Sequence, residues 1–162
     1  MFSFLLNFIL VFSSFSIEYS ITQKDFDRKS YYKYLGSEDV QGIIAQINLL
    51  KSDATNKGFV AALKMKKAGL SGGVFEKLSL FREGSTELDS EIEAHPSHTE
   101  LRLLRLMVQE QAPRILNYND DIATDAKNIK TNYKLLPSET LKVLLKYCNK
   151  SKALKVSDFQ LD

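Results

Sequence analysis

The sequence predicts an all-α fold, a compact antiparallel helical-hairpin bundle of about seven short helices. Apolar residues recur at the spacing i, i+3, i+4, i+7 along most of the chain. No window alternates apolar and polar residues with the period of two that is typical of a strand. The 162 residues suit one domain, and contents of 44% hydrophobic and 26% charged residues are ordinary for a folded protein.

Residues 1–16 differ in composition from the rest of the chain. They contain no charged residue or His, but they hold half of the 10 Phe. The ~11-residue apolar run from Phe2 to Phe12 covers only about 17 Å as a helix, against roughly 30 Å of bilayer hydrocarbon. This length, followed by small residues, is typical of a cleaved export signal. We predict cleavage between Ser16 and Ile17, which leaves residues 17–162 as a single helical domain.

The leader predicts an exported protein, in the periplasm or outside the cell. No Lys or Arg precedes the apolar run, unlike in most export signals. An uncleaved membrane anchor is therefore an alternative, and membrane contact is expected only if the leader is retained.

Two short helices open the predicted domain. The first ends at Gly36, and Ser37 is the expected N-cap of the second. The second helix has one apolar face, formed by Val40, Ile43, Ile44, Ile47 and Leu50.

A helical hairpin follows. The third helix opens at Asp53 and is expected to close at Gly69 as a left-handed cap. The fourth runs from about Val74 to Ala94, with Gly84 where a neighbouring helix could approach closely. Its apolar stripe comprises Val74, Phe75, Leu78, Phe81, Leu88 and Ile92. The third helix is rich in Lys and the fourth in Glu, so antiparallel packing would place opposite charges side by side.

The fifth helix, Thr99 to about Gln111, is apolar around nearly its whole circumference, which predicts a central position. Ser97 and Glu100 have the spacing of a capping box. A sixth helix begins near Asp120–Asp125, and a seventh opens at Pro137. The tail after Lys150 is expected to fray. The lone Cys148 falls on the apolar spacing of the seventh helix, as a small buried hydrophobe does.

Polar residues interrupt this apolar helix in a narrow line. Arg102, Arg105 and Gln109 are spaced i, i+3, i+7, and Glu110 follows. Buried charges need partners, since an unpaired one is costly. The candidate partners are Asp120, Asp121 and Asp125. Two interpretations follow: the arginines brace helix packing, or they form a cationic spot that binds a partner's carboxylate.

Few catalytic patterns are present. His95, His98 and Glu100 lie at a helix junction, so the imidazoles would not share one helical face as metal ligands do in His-Glu-x-x-His. There is no Gly-x-Ser-x-Gly elbow. We predict no catalytic residue, metal site or cofactor. The formal net charge of +2 does not favour nucleic acid as a partner.

Residues 87–122 resemble an uncharacterised family of small exported helical proteins of Bacteroidota. The motifs that carry the resemblance are Glu91-Ile92-Glu93-Ala94-His95-Pro96, Glu100-Leu101-Arg102-Leu103-Leu104-Arg105-Leu106, Gln109-Glu110 and Ala112-Pro113. The resemblance implies a helical domain distantly similar to tetratricopeptide helix pairs, and it implies no activity. Pro96 and Gly84 fit such a repeat, but no second copy follows at a period of about 34 residues.

The sequence favours an exported, non-enzymatic helical domain that binds another protein, such as one of the cell envelope, or that serves envelope organisation. The candidate binding residues are Arg102, Arg105, Gln109, Glu110 and Tyr118. The alternative is a small enzyme or ligand-binding protein with a pocket near Arg105, Gln109 and Tyr118.

Overall fold

Helices form where the apolar periodicity predicts them. The computed structural model describes residues 26–160, so the predicted leader and the cleavage site at Ser16 and Ile17 lie outside the described residues. The helices are α1 (Arg28–Leu35), α2 (Val40–Leu50), α3 (Lys57–Leu70), α4 (Val74–Ala94), α5 (Thr99–Gln111), α6 (Ile122–Asn132) and α7 (Ser138–Tyr147). Residues 26–160 contain no strand, which confirms the all-α class. No helix in that range is both long enough and apolar enough to cross a bilayer.

Two predicted helix ends differ in detail. The N-cap of α2 is Asp39 rather than Ser37, because the Asp39 carboxylate accepts a hydrogen bond from the Gly42 N–H at 2.9 Å. The Ser37 hydroxyl instead donates to the Tyr34 carbonyl and closes α1. Gly69 is not a left-handed cap either, since its φ is not positive and α3 continues to Leu70. The Ser71 hydroxyl donates to the Lys67 carbonyl, so the helix end needs no left-handed residue.

The α3–α4 hairpin is antiparallel and closely packed. A Cβ atom at Gly84 would lie 2.7 Å from the Ala61 carbonyl oxygen and 2.8 Å from Met65 Cγ, which confirms the expected close approach. Across the same interface, Lys64 Nζ lies 2.7 Å from the Glu83 carboxylate and 2.8 Å from that of Glu87. The predicted match of opposite charges is therefore present.

The described residues bury two apolar clusters, and α5 contributes to both. Leu101 and Leu104 join a cluster built mainly from α1 to α4. Leu103 and Leu106 join a second cluster with α6, α7 and the segment that follows α7. The central position predicted for α5 is confirmed.

The first turns of α4 are not buried as predicted. The side chains of Val74, Phe75 and Leu78 are 75%, 86% and 36% exposed. The stripe becomes buried only at Phe81, whose ring packs against that of Tyr118. Periodicity places these residues on one face, but no other described element reaches far enough to cover it.

The tail after Lys150 is packed rather than frayed. Leu154 and Phe159 are buried in the second cluster, together with Cys148, whose predicted burial is confirmed. The Phe159 ring lies edge-to-face on Tyr133 at 5.1 Å. Apolar residues at two widely spaced positions give no helical period, which is why the sequence pattern missed this segment.

Candidate functional site

Polar side chains of α5 reach a different neighbour on each side of the helix. We call Asp89, Arg102, Arg105, Tyr118, Asp121 and Asp125 the Arg105 cluster; it joins α5 to α4, α6 and the loop before α6. We call Arg28, Tyr32, Glu100 and Thr140 the Glu100 cluster; it joins α5 to α1 and α7. Glu110 forms a third group with the C-terminal segment.

Arg105 is almost completely enclosed by carboxylates. Its Nε and Nη2 atoms donate to the two oxygens of Asp125 at 2.8 and 2.9 Å. Its Nη1 donates to Asp89 Oδ1 at 3.1 Å, and its Nη2 lies 3.3 Å from Asp121 Oδ1. The forked guanidinium suits such planar, paired contacts. Burial by itself would lower the pKa of Arg105, but the hydrogen bonds and charges of Asp125, Asp89 and Asp121 raise it, so the side chain stays charged.

Arg102 adds a second cation to the same carboxylate. Its Nη1 donates to Asp125 Oδ1 at 2.9 Å, while its Nε donates to the Pro96 carbonyl at 3.0 Å. Asp121 and Asp125 were among the three predicted partners, and Asp89 was not. These contacts are the ones that the bracing interpretation requires.

Tyr118 and Gln109 lie at the edge of the Arg105 cluster. The Tyr118 hydroxyl donates to Asp89 Oδ1 at 2.9 Å. Burial and the charge of Asp89 raise the pKa of Tyr118 far above its usual range, so this hydroxyl is a hydrogen-bond donor and not a base at neutral pH. Gln109 Nε2 donates to Asp121 Oδ2 at 3.2 Å, and its buried Oε1 has no partner among the described residues.

Glu110 does not join the other four candidates. Its carboxylate accepts hydrogen bonds from the Tyr147 hydroxyl at 2.7 Å and from the backbone N–H groups of Lys152 and Ala153 at 2.7 and 3.0 Å. Burial raises the pKa of Glu110, but these hydrogen bonds outweigh it and leave the pKa lowered. The ionised carboxylate thus anchors the segment after α7 to α5.

Glu100 has a role that the sequence pattern did not reveal. The predicted capping box is absent, because His98 is the N-cap and its Nδ1 accepts from the Leu101 N–H at 3.4 Å. The Glu100 carboxylate is instead buried, where it accepts from Arg28 Nη2 at 3.1 Å, the Tyr32 hydroxyl at 2.8 Å and the Thr140 hydroxyl at 2.5 Å. These donors outweigh the single backbone N–H that a capping box would offer. Arg28 and Tyr32 are spaced i, i+4, which places them on one face of α1. This spacing does not indicate that Glu100 is the partner they share.

The hydrogen bonds and ion pairs of the Arg105 and Glu100 clusters hold α5 against the neighbouring helices. Every charged group of the Arg105 and Glu100 clusters is hydrogen-bonded within the fold. Two shallow clefts lie along α6 and the C-terminal segment, and none of the five sequence candidates lines them. Among residues 26–160, no three His, Cys, Asp or Glu side chains are grouped as metal ligands would be.

The chain matches no protein-family model, no curated protein and no solved structure. The resemblance to the exported family of Bacteroidota is therefore untested and stays a prediction.

Proposed function

We propose that the chain is an exported, non-enzymatic interaction domain that binds another protein through the tip of the α3–α4 hairpin. The observation that carries the proposal is the exposure of Val74, Phe75 and Leu78. Contiguous exposed apolar side chains on a folded domain are typical of interaction surfaces.

The spacing of these residues indicates how a partner would bind. Val74 and Leu78 are four residues apart and Phe75 and Leu78 three apart, so the three side chains share one face of α4. This is the anchor pattern of a helix that lies in an apolar groove of another protein. We therefore infer a partner with such a groove.

Ion pairs between α3 and α4 hold the helix that carries the hairpin tip. Lys67 Nζ lies 3.5 Å from the Glu76 carboxylate, and Lys64 bridges Glu83 and Glu87, about two and three turns further along α4. Exposed pairs of this kind contribute only about 0–1 kcal/mol each. The ion pairs instead hold the apolar face on an ordered helix, which reduces the entropy that is lost when a partner binds.

The alternative function, an enzyme or ligand-binding protein at Arg105, Gln109 and Tyr118, requires an open site there. The carboxylates of Asp89, Asp121 and Asp125 occupy the space around the guanidinium. No described feature favours this alternative.

Affinity capture from envelope extract tests the proposal. The full chain and a Val74→Ser/Phe75→Ser variant are used as baits, with Leu49→Ser as the control because Leu49 is an exposed apolar residue on a helix outside the hairpin tip. A partner captured by the full chain and the control, but lost with the tip variant, supports the proposal. Equal capture by all three baits, or no partner in repeated trials, overturns it.

Export is tested separately by mass spectrometry of the protein recovered from cells. A chain that begins near Ile17 in the periplasmic or secreted fraction supports export with cleavage. A chain that begins at Met1 in the membrane fraction supports the retained anchor, and a chain found only in the cytoplasm contradicts export.

A further inference from the structure

The charged residues in the N-terminal part of α4 differ in how they are paired. Residues 74–89 contain four acidic and two basic residues. Each of the four carboxylates lies within 3.5 Å of a lysine of α3 or of Arg105: Glu76, Glu83, Glu87 and Asp89. Lys77 and Arg82, in contrast, have no ion pair among the described residues. The unpaired charge on this part of α4 is therefore positive, although acidic residues outnumber basic ones.

Arg82 continues the exposed apolar face of the hairpin tip. It is four residues after Leu78 and seven after Phe75, so the three side chains lie on the same side of α4. At 1.5 Å per residue, Arg82 lies about 6 Å beyond Leu78 along the helix axis. Its side chain is exposed. We call Val74, Phe75, Leu78 and Arg82 the tip face; it begins with apolar side chains and ends with an unpaired guanidinium.

The other charges of the first turns leave the tip face positive. Lys77 is exposed at one edge of the face, three residues after Val74. Glu76 follows Phe75 directly, which turns it about 100° around the helix, and its carboxylate lies 3.5 Å from Lys67 of α3. A partner that covers the tip face therefore meets unpaired cations and no unpaired carboxylate.

We propose that the partner of the hairpin tip has an apolar groove with a carboxylate at its rim, about one helical turn beyond the position that receives Leu78. The inference rests on the proposed function. The apolar side chains of the tip face would fill the groove, and Arg82 would bind the carboxylate through its forked guanidinium. Arg82 would thus distinguish this partner from other proteins that have an apolar groove.

The same charges disfavour a second copy of this chain as the partner. In a pair with two-fold symmetry, the tip face would meet itself. Arg82 would then find no unpaired carboxylate on the facing copy, because Glu76 and Glu83 already bind lysines of α3. Like charges that are brought together at an interface oppose association.

The composition of α4 disfavours a bilayer. Helices that lie on a membrane surface carry mainly Lys and Arg on their polar faces. Val74–Ala94 contains six acidic residues and two basic ones. If the tip instead entered the hydrocarbon, Phe75 would take Glu76 and Lys77 of the same turn with it, and charges there are costly. A groove covers one side of the helix and leaves Glu76 on Lys67.

Binding measurements with the partner test the proposal. Affinity capture with the full chain supplies the partner, mass spectrometry identifies it, and biolayer interferometry with the purified partner gives the Kd of each variant. Arg82→Glu should raise the Kd by at least about tenfold. Lys57→Glu is the control matched in charge, since Lys57 is exposed at the far end of α3 from the tip, and it should change the Kd by less than about twofold. Circular dichroism checks that each variant is folded.

Cross-linking locates the carboxylate. Arg82→Lys keeps the positive charge and supplies an amine that a carbodiimide joins to a carboxylate in contact with it. We expect a cross-link from this amine to an Asp or Glu of the partner, identified by mass spectrometry of the linked peptides. Arg82→Gln lacks the amine and is the control. The internal standard is the link between Lys64 and Glu83, whose charged groups lie 2.7 Å apart.

Several results would overturn the proposal. A partner that requires Phe75 but binds Arg82→Glu and the full chain equally would leave the proposed function standing and remove the acidic rim. A complex without a cross-link at position 82 would do the same. Arg82-dependent binding to vesicles of phosphatidylcholine and phosphatidylglycerol, without a protein partner, would make an anionic bilayer the target. Self-association in sedimentation, abolished by Val74→Ser/Phe75→Ser, would make a second copy the partner. The absence of any partner would overturn the proposed function together with this inference.

Discussion

Asp125 shows how one buried charge organises its surroundings. Its side chain is fully buried; Oδ1 accepts hydrogen bonds from Arg102 and Arg105, and Oδ2 accepts one from Arg105. A buried carboxylate loses several kcal/mol of hydration, which only close, well-directed cations recover. The pairing therefore fixes the position of α6 on α5 rather than adding a large net stability.

Removing one partner of the buried Arg105–Asp125 pair should lower the free energy of unfolding by far more than the intact pair contributes to it. We expect Arg105→Met to lower the free energy of unfolding by about 3 kcal/mol, because Asp125 and Asp89 each lose a hydrogen-bond donor. Urea denaturation followed by circular dichroism measures the change.

Arg114→Met is the matched control for this substitution. Arg114 is exposed, so the same replacement there should change stability by about 0.5 kcal/mol or less. If Arg105→Met were equally mild but abolished binding to a partner, Arg105 would belong to a binding site and the bracing interpretation would be wrong.

The distance between α3 and α4 is set by small residues. The backbone of α4 at Gly84 approaches the Ala61 carbonyl so closely that no side chain fits between them. Gly58 on α3 plays a similar part towards α5, since an added Cβ would lie 2.7 Å from Leu101 Cδ2. These glycines weaken their helices locally and are needed for packing.

Gly84→Ala and Gly69→Ala form a matched pair of helix substitutions. Gly84→Ala forces the two helices apart, and we expect a loss of about 1–2 kcal/mol after the better helix propensity of alanine is counted. Gly69 has no neighbour within 4 Å, so Gly69→Ala should raise stability by up to about 1 kcal/mol. Thermal melting distinguishes the two, and a shift in the same direction for both would contradict the close approach.

Local pattern explains what could and could not be predicted from the sequence. The bounds of α4 and α5 and the central position of α5 follow from apolar spacing and from the proline after α4. The same spacing placed Phe75 inward, because a period identifies a shared face and does not specify whether another element covers it. Glu100 fitted a local capping box, yet its partner Arg28 lies 72 positions away, a distance over which only the tertiary fold decides contacts.

Helix α5 lies at the junction of the two apolar clusters. Its Glu110 carboxylate holds the segment after α7, and Leu154 and Phe159 of that segment complete the second cluster. The C-terminal segment is therefore part of the core.

Leu154→Ala tests this packing. Leu154 is fully buried, so we expect its truncation to lower the free energy of unfolding by about 2–5 kcal/mol. Val156 lies in the same segment but is half exposed, and Val156→Ala should cost under about 1 kcal/mol. Equal, small effects in chemical denaturation would show that the segment is loose in solution.

The shared position of α5 has a consequence during protein synthesis. The ribosome delivers Leu103 and Leu106 before it makes α6, α7 and Phe159, which bury them. A nascent chain that has just released α5 therefore exposes one apolar side of this helix to water until the rest has been translated. We expect that exposed side to be a recognition site for chaperones until α6, α7 and the C-terminal segment have been made.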